Sequence, residues 1–256
     1  MLSHPAVAVV GTRSCSPYGA QVARRLGREL AEAGATVVSG LARGIDAEAH
    51  RGALEAGGPT VAVLGCGIDR DYPAVHSALA RRIAEVGLLV SEYGPGTEPA
   101  PWRFPARNRI VAGLAAVAVI VEARAKSGAL ITADFALEEG REVFAVPGEI
   151  TSALSRGTNE LLRLGATPLL SSGDVLEALG LAGRPAQGSA RLSAEASRIR
   201  ELLADRSASV DELAARSGLR VDAVAAALVE LELTGEAVCA EGVYRATGGA
   251  PKGSLR

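Results

Sequence analysis

Apolar residues along the first two thirds of the chain fall in short runs that alternate with amphipathic stretches. Ala6 to Val10 is apolar at every position, which suits a parallel strand covered on both faces, and it ends in Gly11-Thr12-Arg13. Ser16-Pro17 predicts a helix start, with serine as N-cap and proline at the first helical position. Val22, Leu26 and Leu30 recur every four residues, and Gly34 closes that helix. The alternation then repeats. Further strands are predicted at 36–38 (ending in Ser39-Gly40), 61–64 (ending in Gly65-Cys66-Gly67), 88–90 (ending in Ser91-Glu92), 117–121 and 143–146 (ending in Pro147-Gly148). Helices are predicted from Asp46 to Gly57-Gly58, at 76–85, from Asn108 to Leu114, at 130–140 and at 159–164, the last capped by Gly165.

Strands alternating with helices imply right-handed crossovers and a mostly parallel, doubly wound, Rossmann-like α/β sheet, assigned here to residues 1–182. Ligands of such sheets bind beyond the carboxyl ends of the strands, which is where the glycine- and serine-rich strand ends collect. Residues 183–190 read as a linker. Residues 191–246 show three short helical patterns (near 194–204, 209–217 and 221–233) with a Gly218-Leu219 turn, then a hairpin turning at Glu241-Gly242. That order describes a small C-terminal winged-helix domain. Residues 247–256 are expected to be a disordered tail.

Composition narrows the function. The chain of 256 residues is 48% hydrophobic but only 3% aromatic, so Ala, Val and Leu must build one full-sized core. The net charge of −2 excludes a generally basic surface, so any nucleic acid must meet a local patch. Cys15, Cys66 and Cys239 are widely spaced and give no CxxC motif or disulfide framework, which fits a reducing cytoplasm. Met1 to Pro5 is too short and uncharged for a signal peptide, and the apolar stretch 110–121 is too short for a membrane span. No metal-binding spacing and no cofactor motif is seen, and no membrane association is expected.

The chemistry gathers in four loops. Gly11-Thr12-Arg13 departs from the dinucleotide pattern at Arg13, and the second strand ends in Ser39-Gly40 rather than an acid, which argues against NAD or FAD. Arg13 offers a forked phosphate donor beside the positive end of the following helix, or else only caps the sheet edge. In Ser39-Gly40-Leu41-Ala42-Arg43-Gly44-Ile45-Asp46, backbone N–H groups and the Ser39 hydroxyl could cradle a phosphate, with Arg43 adding charge and Asp46 as N-cap; the plain alternative is an ordinary turn. From Pro99 to Lys126 there are five cations against one acid, with Trp102 and Phe104 interleaved among Arg103, Arg107, Asn108 and Arg109. Single strands are gripped in this way, by bases on aromatics and phosphates on arginines. The alternative buries the aromatics in the core and Arg107 or Arg109 in an ion pair. In Lys126-Ser127-Gly128, Lys126 is the one lysine before residue 180, and the loop is not a Walker A because Ala125 precedes the lysine.

No catalytic set is visible. Asp46 and His50 share a helix face, but a helix cap beside a satisfied histidine accounts for them. The C-terminal module holds seven arginines and ten acids over residues 190–246, which suits protein interaction or dimer support better than a major groove.

Val9-Val10-Gly11-Thr12-Arg13, the Ser39-to-Asp46 loop with Ala49-His50, Phe104-Pro105-x-Arg107-Asn108-Arg109, Val121-Glu122-Ala123 with Lys126-Ser127-Gly128, and Gly140-Arg141-Glu142-Val143 with Val146-Pro147-Gly148 together resemble the DNA-processing protein A (DprA/Smf) family. The resemblance runs in order from about residue 5 to 170. Family members often carry a helical region before the first strand, whereas this sequence begins almost on that strand, so nothing is carried over for it. The resemblance implies a non-enzymatic cytoplasmic protein that binds and protects single-stranded DNA during natural transformation. It also implies loading of RecA recombinase onto that strand, and a homodimer. Its pocket would map to Arg13, Ser39, Gly40, Arg107, Asn108, Arg109, Lys126, Ser127 and Gly128, flanked by Phe104. The alternative is a Rossmann-fold nucleotide-processing enzyme of the phosphoribohydrolase kind, which would want a P-G-G-x-G-T signature where this chain has Lys126-Ser127-Gly128-Ala129-Leu130.

Overall fold

The computed structural model describes residues 5–181, 192–234, 236–240 and 242–246. These fall into two units, divided between 188 and 189. The predicted linker (183–190) and tail (247–256) lie outside the described residues.

In the first unit β1 (Ala6–Val10), β2 (Thr36–Ser39), β3 (Thr60–Leu64), β4 (Leu88–Ser91), β5 (Val117–Ile120), β6 (Glu142–Ala145) and β7 (Thr167–Pro168) form one parallel sheet in the order β4-β3-β2-β1-β5-β6-β7. The helices are α1 (Pro17–Glu32), α2 (Ile45–Glu55), α3 (Ser77–Val86), α4 (Arg103–Gly113), α5 (Gly128–Glu138), α6 (Arg156–Arg163) and α7 (Ser172–Ala178). Both faces of β1 are covered, as its all-apolar sequence requires. Val7 and Val9 pack with Leu26 and Leu30 of α1 and Ala49 and Ala53 of α2. Ala6, Ala8 and Val10 pack on the other face with Val111 of α4 and Ala133 of α5. The chain winds from β1 out to β4, then crosses back to place β5 on the free side of β1. The strand order therefore reverses between β1 and β5, and a crevice opens there at the carboxyl edge.

Several predicted boundaries shift by a few residues, and one affects the site. The helix expected at 76–85 is a 3-10 turn (Ala74–His76) running into α3. The helix expected from Asn108 starts at Arg103. Pro105 sits in its first turn, where a missing N–H breaks no intrahelical bond. Arg103 to Arg109 thus share one rigid element. β7 and α7 complete the sheet edge, and sequence patterning did not predict them.

The second unit contains α8 (Ala194–Asp205), β8 (Ala208–Ser209), α9 (Val210–Ser217), α10 (Val221–Leu233), β9 (Ala237–Ala240) and β10 (Val243–Ala246), with strand order β8-β10-β9. It is a winged helix around Ile199, Leu203, Leu213, Val224, Leu228 and Leu231. Ser209 and Glu212 close a capping box on α9, and Gly218 ends it in the left-handed conformation (φ 69°). At the amino end of α10 the Arg220 side chain is tied to Asp222.

Candidate nucleic-acid interface

The helix end that looked ready for a phosphate is already filled. Ser16 caps α1 by accepting from the Gly19 N–H at 3.0 Å, as its sequence predicted. The buried carboxylate of Glu122, just beyond β5, accepts from the Ser16 N–H at 2.9 Å and from the Ser16 hydroxyl. A dinucleotide fold would place its pyrophosphate at this position; here an internal anion holds it. Burial first, and then the Glu122 charge, push the Cys15 thiol and the Tyr18 phenol up.

The second loop also satisfies itself. The Ser39 hydroxyl donates to the Val9 carbonyl at 2.6 Å and is fully buried. Asp46 is not the N-cap of α2; Gly44 is. The Asp46 carboxylate instead turns back and accepts from the N–H groups of Gly40 (3.1 Å) and Ala42 (3.4 Å). The donors expected to hold a phosphate therefore hold the loop. Burial raises the Asp46 pKa, against the pull of Arg107 and these amides.

Arg107 reaches from α4 across the strand ends and is only 3% exposed. Its Nη1 donates to the Gly40 carbonyl at 2.7 Å and to the Val63 carbonyl. This ties the ends of β2 and β3 to α4 by hydrogen bonds to carbonyls, not by the ion pair considered from sequence. Burial lowers its pKa to about 10, so it stays charged at neutral pH. A Cβ on Gly40 would collide with the guanidinium, which explains the glycine.

Above this floor two cavities share Arg13, Ala42, Phe104 and Arg107 as a common wall. The first, about 230 Å³, lies at the switch point between the ends of β1 and β5. Gly11, Asn108, Ser127, Gly128 and Thr132 also line it. Here the amino end of α5 opens into the cavity. Ser127 is its N-cap and accepts from the Ala129 N–H at 3.3 Å. Asn108 braces that end by donating to the Gly128 carbonyl at 3.0 Å. The second cavity, about 320 Å³, lies over β2 and β3 and is lined by Arg43, Leu64, Gly65, Tyr72 and Pro73. The Arg13 guanidinium lies 5.1 Å from the Phe104 ring centre, and the Tyr72 ring stacks on Phe104 at 5.2 Å and 24°. Gly65 permits this, because a Cβ there would meet Phe104 Cδ1 at 2.7 Å.

The structure thus brings Arg13, Arg43, Phe104, Arg107, Asn108, Ser127, Gly128 and the Gly40 backbone to one crevice. Lys126 stands exposed beside Ser127 at the rim, in the left-handed conformation (φ 60°), and does not line either cavity. Arg109 faces away and pairs with Glu92. Ser39 supports β1 from below. Tyr72 and Thr132 escaped sequence reasoning, and Glu122 entered it with no role beyond its place in a family motif; its signal was an acid closing an otherwise apolar strand.

His50 shows why no acid–base pair forms with Asp46. Its Nδ1 is 2.7 Å from the Thr60 hydroxyl, which itself donates to the Val37 carbonyl at 2.8 Å. Thr60 has one proton and has spent it, so Nδ1 must carry the imidazole proton. Burial, then the charge of Arg107, pull the His50 pKa down to about 3. The unfolded chain takes up a proton near pH 6.5 that the folded chain refuses. Stability is therefore full above that pH and falls by about 1.4 kcal/mol per unit below it. Between pH 6.5 and 5 the melting temperature is expected to drop by roughly 4–8 °C. A His50→Gln variant, melted over the same pH range, should lose most of that slope; an unchanged slope would place its cause elsewhere.

The family model for DNA recombination-mediator protein A matches residues 1–180. The chain belongs to that family. A second model, the DprA winged helix domain, matches residues 183–242. The chain is 48% identical over 248 residues to a putative DNA processing protein DprA of Mycobacterium tuberculosis (strain CDC 1551 / Oshkosh), covering 94% of this chain and 64% of that protein. Among solved structures it resembles DNA processing protein A from Streptococcus pneumoniae, at 47% identity and a TM-score of 0.65, over 69% of this chain and 62% of that one. It also resembles DNA processing protein A from Helicobacter pylori, whose structure concerns the single-stranded DNA binding mode of that protein. That match has 37% identity and a TM-score of 0.64, over 70% of this chain and 81% of that one. The chain therefore spans somewhat under two thirds of the M. tuberculosis relative and of the S. pneumoniae chain. Among the described residues no helix is long and apolar enough to cross a membrane, and no group of His, Cys, Asp or Glu could hold a metal ion.

Proposed function

We propose that the Rossmann-like unit binds and protects single-stranded DNA in this crevice and presents it to RecA recombinase during natural transformation, as a cytoplasmic homodimer and without catalysing a reaction. The observation that carries the reading is the shared wall of the two cavities, where Arg13 lies against the Phe104 ring. A phosphate fits between Arg13 and the amino end of α5, and a base fits the more apolar side against Phe104 and Tyr72. Arg43 and Lys126 add charge at the rims. Ser39, Gly40, Arg107 and Asn108 act as supports that fix the strand ends and the start of α5.

A binding role suits the committed side chains. The Asp46 carboxylate is turned onto backbone amides and His50 is buried against Thr60, so neither faces a substrate. The phosphoribohydrolase reading has no observation in its favour. The dimer reading is supported by Leu164 and Leu170, which are 73% and 80% exposed beside the sheet edge formed by β7.

The test is equilibrium binding of a labelled oligo-dT against a duplex of equal length, together with RecA filament growth on the bound strand. Tighter binding of the single strand, and faster filament nucleation with the protein than without it, are expected. Equal affinity for duplex and single strand would reject the crevice as a single-strand site. Unchanged nucleation would reject the loading role alone.

A further inference from the structure

Phe104 and the residues before it point in different directions from the start of α4. Successive helical side chains are turned by about 100°, so Trp102 and Phe104 face opposite sides. Phe104 faces the crevice. Trp102, 63% exposed, stands over the end of β4 with Tyr93, which follows that strand. The Arg103 guanidinium lies 5.0 Å from the Trp102 ring centre and 5.1 Å from the Tyr93 ring centre. The two rings meet edge to face at 6.5 Å and 85°. Arg103 is itself fixed by donating to the Glu98 carbonyl. The acids nearby are answered: Glu92 pairs with Arg109, and Glu98 with Arg70 at 3.1 Å. What is left outward is an exposed indole backed by a rigid cation, at a place in the fold where the core gains nothing from it.

The topology makes this a continuation of the crevice. Strand order β4-β3-β2-β1-β5 sets Ser127, Arg13, Arg43, Phe104 and then Trp102 along one carboxyl edge. Adjacent strands are about 4.8 Å apart, so the row is on the order of 20 Å long, room for a few nucleotides.

From this row we infer that Trp102, held by Arg103 and Tyr93, is a second base-stacking station, taking a nucleobase of the single strand after it leaves the Phe104 side of the crevice. The inference rests on the single-strand reading above and extends it to residues outside both cavities. Stacking on an exposed ring needs no base identity, so the station is sequence-tolerant.

Trp102 is the one tryptophan in the chain, so its emission reports on this station alone. Oligo-dT binding, followed at the same time by anisotropy of the labelled strand and by tryptophan emission, is expected to quench Trp102 in step with binding. Trp102→Ala should weaken binding by about 5- to 100-fold, and Trp102→Phe should restore most of it. The side chain is exposed, so both variants should melt like the wild type. Binding by anisotropy with no quenching, and with Trp102→Ala binding normally, overturns the station and leaves the crevice reading intact. Neither signal moving overturns both. Quenching by duplex DNA but not by the single strand also overturns the station.

Discussion

Arg107→Met should destabilise the Rossmann-like unit by about 3–5 kcal/mol, more than any other single change at the site. The side chain is 3% exposed and holds two carbonyls, Gly40 just after β2 and Val63 on β3. Methionine fills part of the volume but donates nothing. Both carbonyls then stay buried without a partner, and the buried Asp46 carboxylate loses the cation that most opposes its desolvation. A fall in melting temperature of roughly 10 °C is expected. Arg107→Lys keeps the charge but not the planar fork, and should fall between the two. Arg107 also lines both cavities, so a binding assay would mix its two effects and the melting curve is the readout. A loss under about 1 kcal/mol would mean that the guanidinium does not hold the strand ends.

Arg13→Ala should do the reverse, with large loss of binding and little loss of stability. Arg13 is exposed, follows β1 at the switch point, and lines both cavities. Its main contact within the chain is the Phe104 ring. Removing a charge-assisted phosphate contact is expected to weaken oligo-dT binding by about 10- to 100-fold at low salt. The melting temperature should move by no more than about 2 °C, as for a surface change away from the core. Circular dichroism melts beside anisotropy titrations separate the two effects. The pair of variants therefore tests whether one arginine of the site builds the crevice and the other meets the strand, as proposed.

The strands were legible because the sheet is parallel and covered on both faces. That makes Ala6–Val10 apolar at every position, a pattern that needs no partner to be read. The two-residue β7 carries no such pattern and was missed. Pro105 is accommodated in the first turn of α4, so that helix starts at Arg103, five residues before the Asn108 that sequence patterning predicts. The site was legible as a set of loops but not as a set of roles. An Asp just before a helical stretch looks like a cap, and only the fold shows Asp46 turning back onto Gly40 and Ala42. The amino end of α1 looked free because the carboxylate that fills it, Glu122, is 106 residues from Ser16 in the chain. Arg13 and Phe104, 91 positions apart in the sequence, are placed in one pocket only by the family resemblance; their direct contact is a product of the fold.

A slightly acidic protein can hold a polyanion only through a local basic crevice, and counterion release measures such contacts directly. The decisive quantity is the slope of log K against log salt for oligo-dT, taken on the wild type and on Arg13→Ala. The wild type should bind more weakly as salt rises, and the variant should show a slope shallower by about 0.7, one phosphate contact fewer. Identical slopes and affinities for the two proteins would contradict the assignment of the strand to this edge of the sheet.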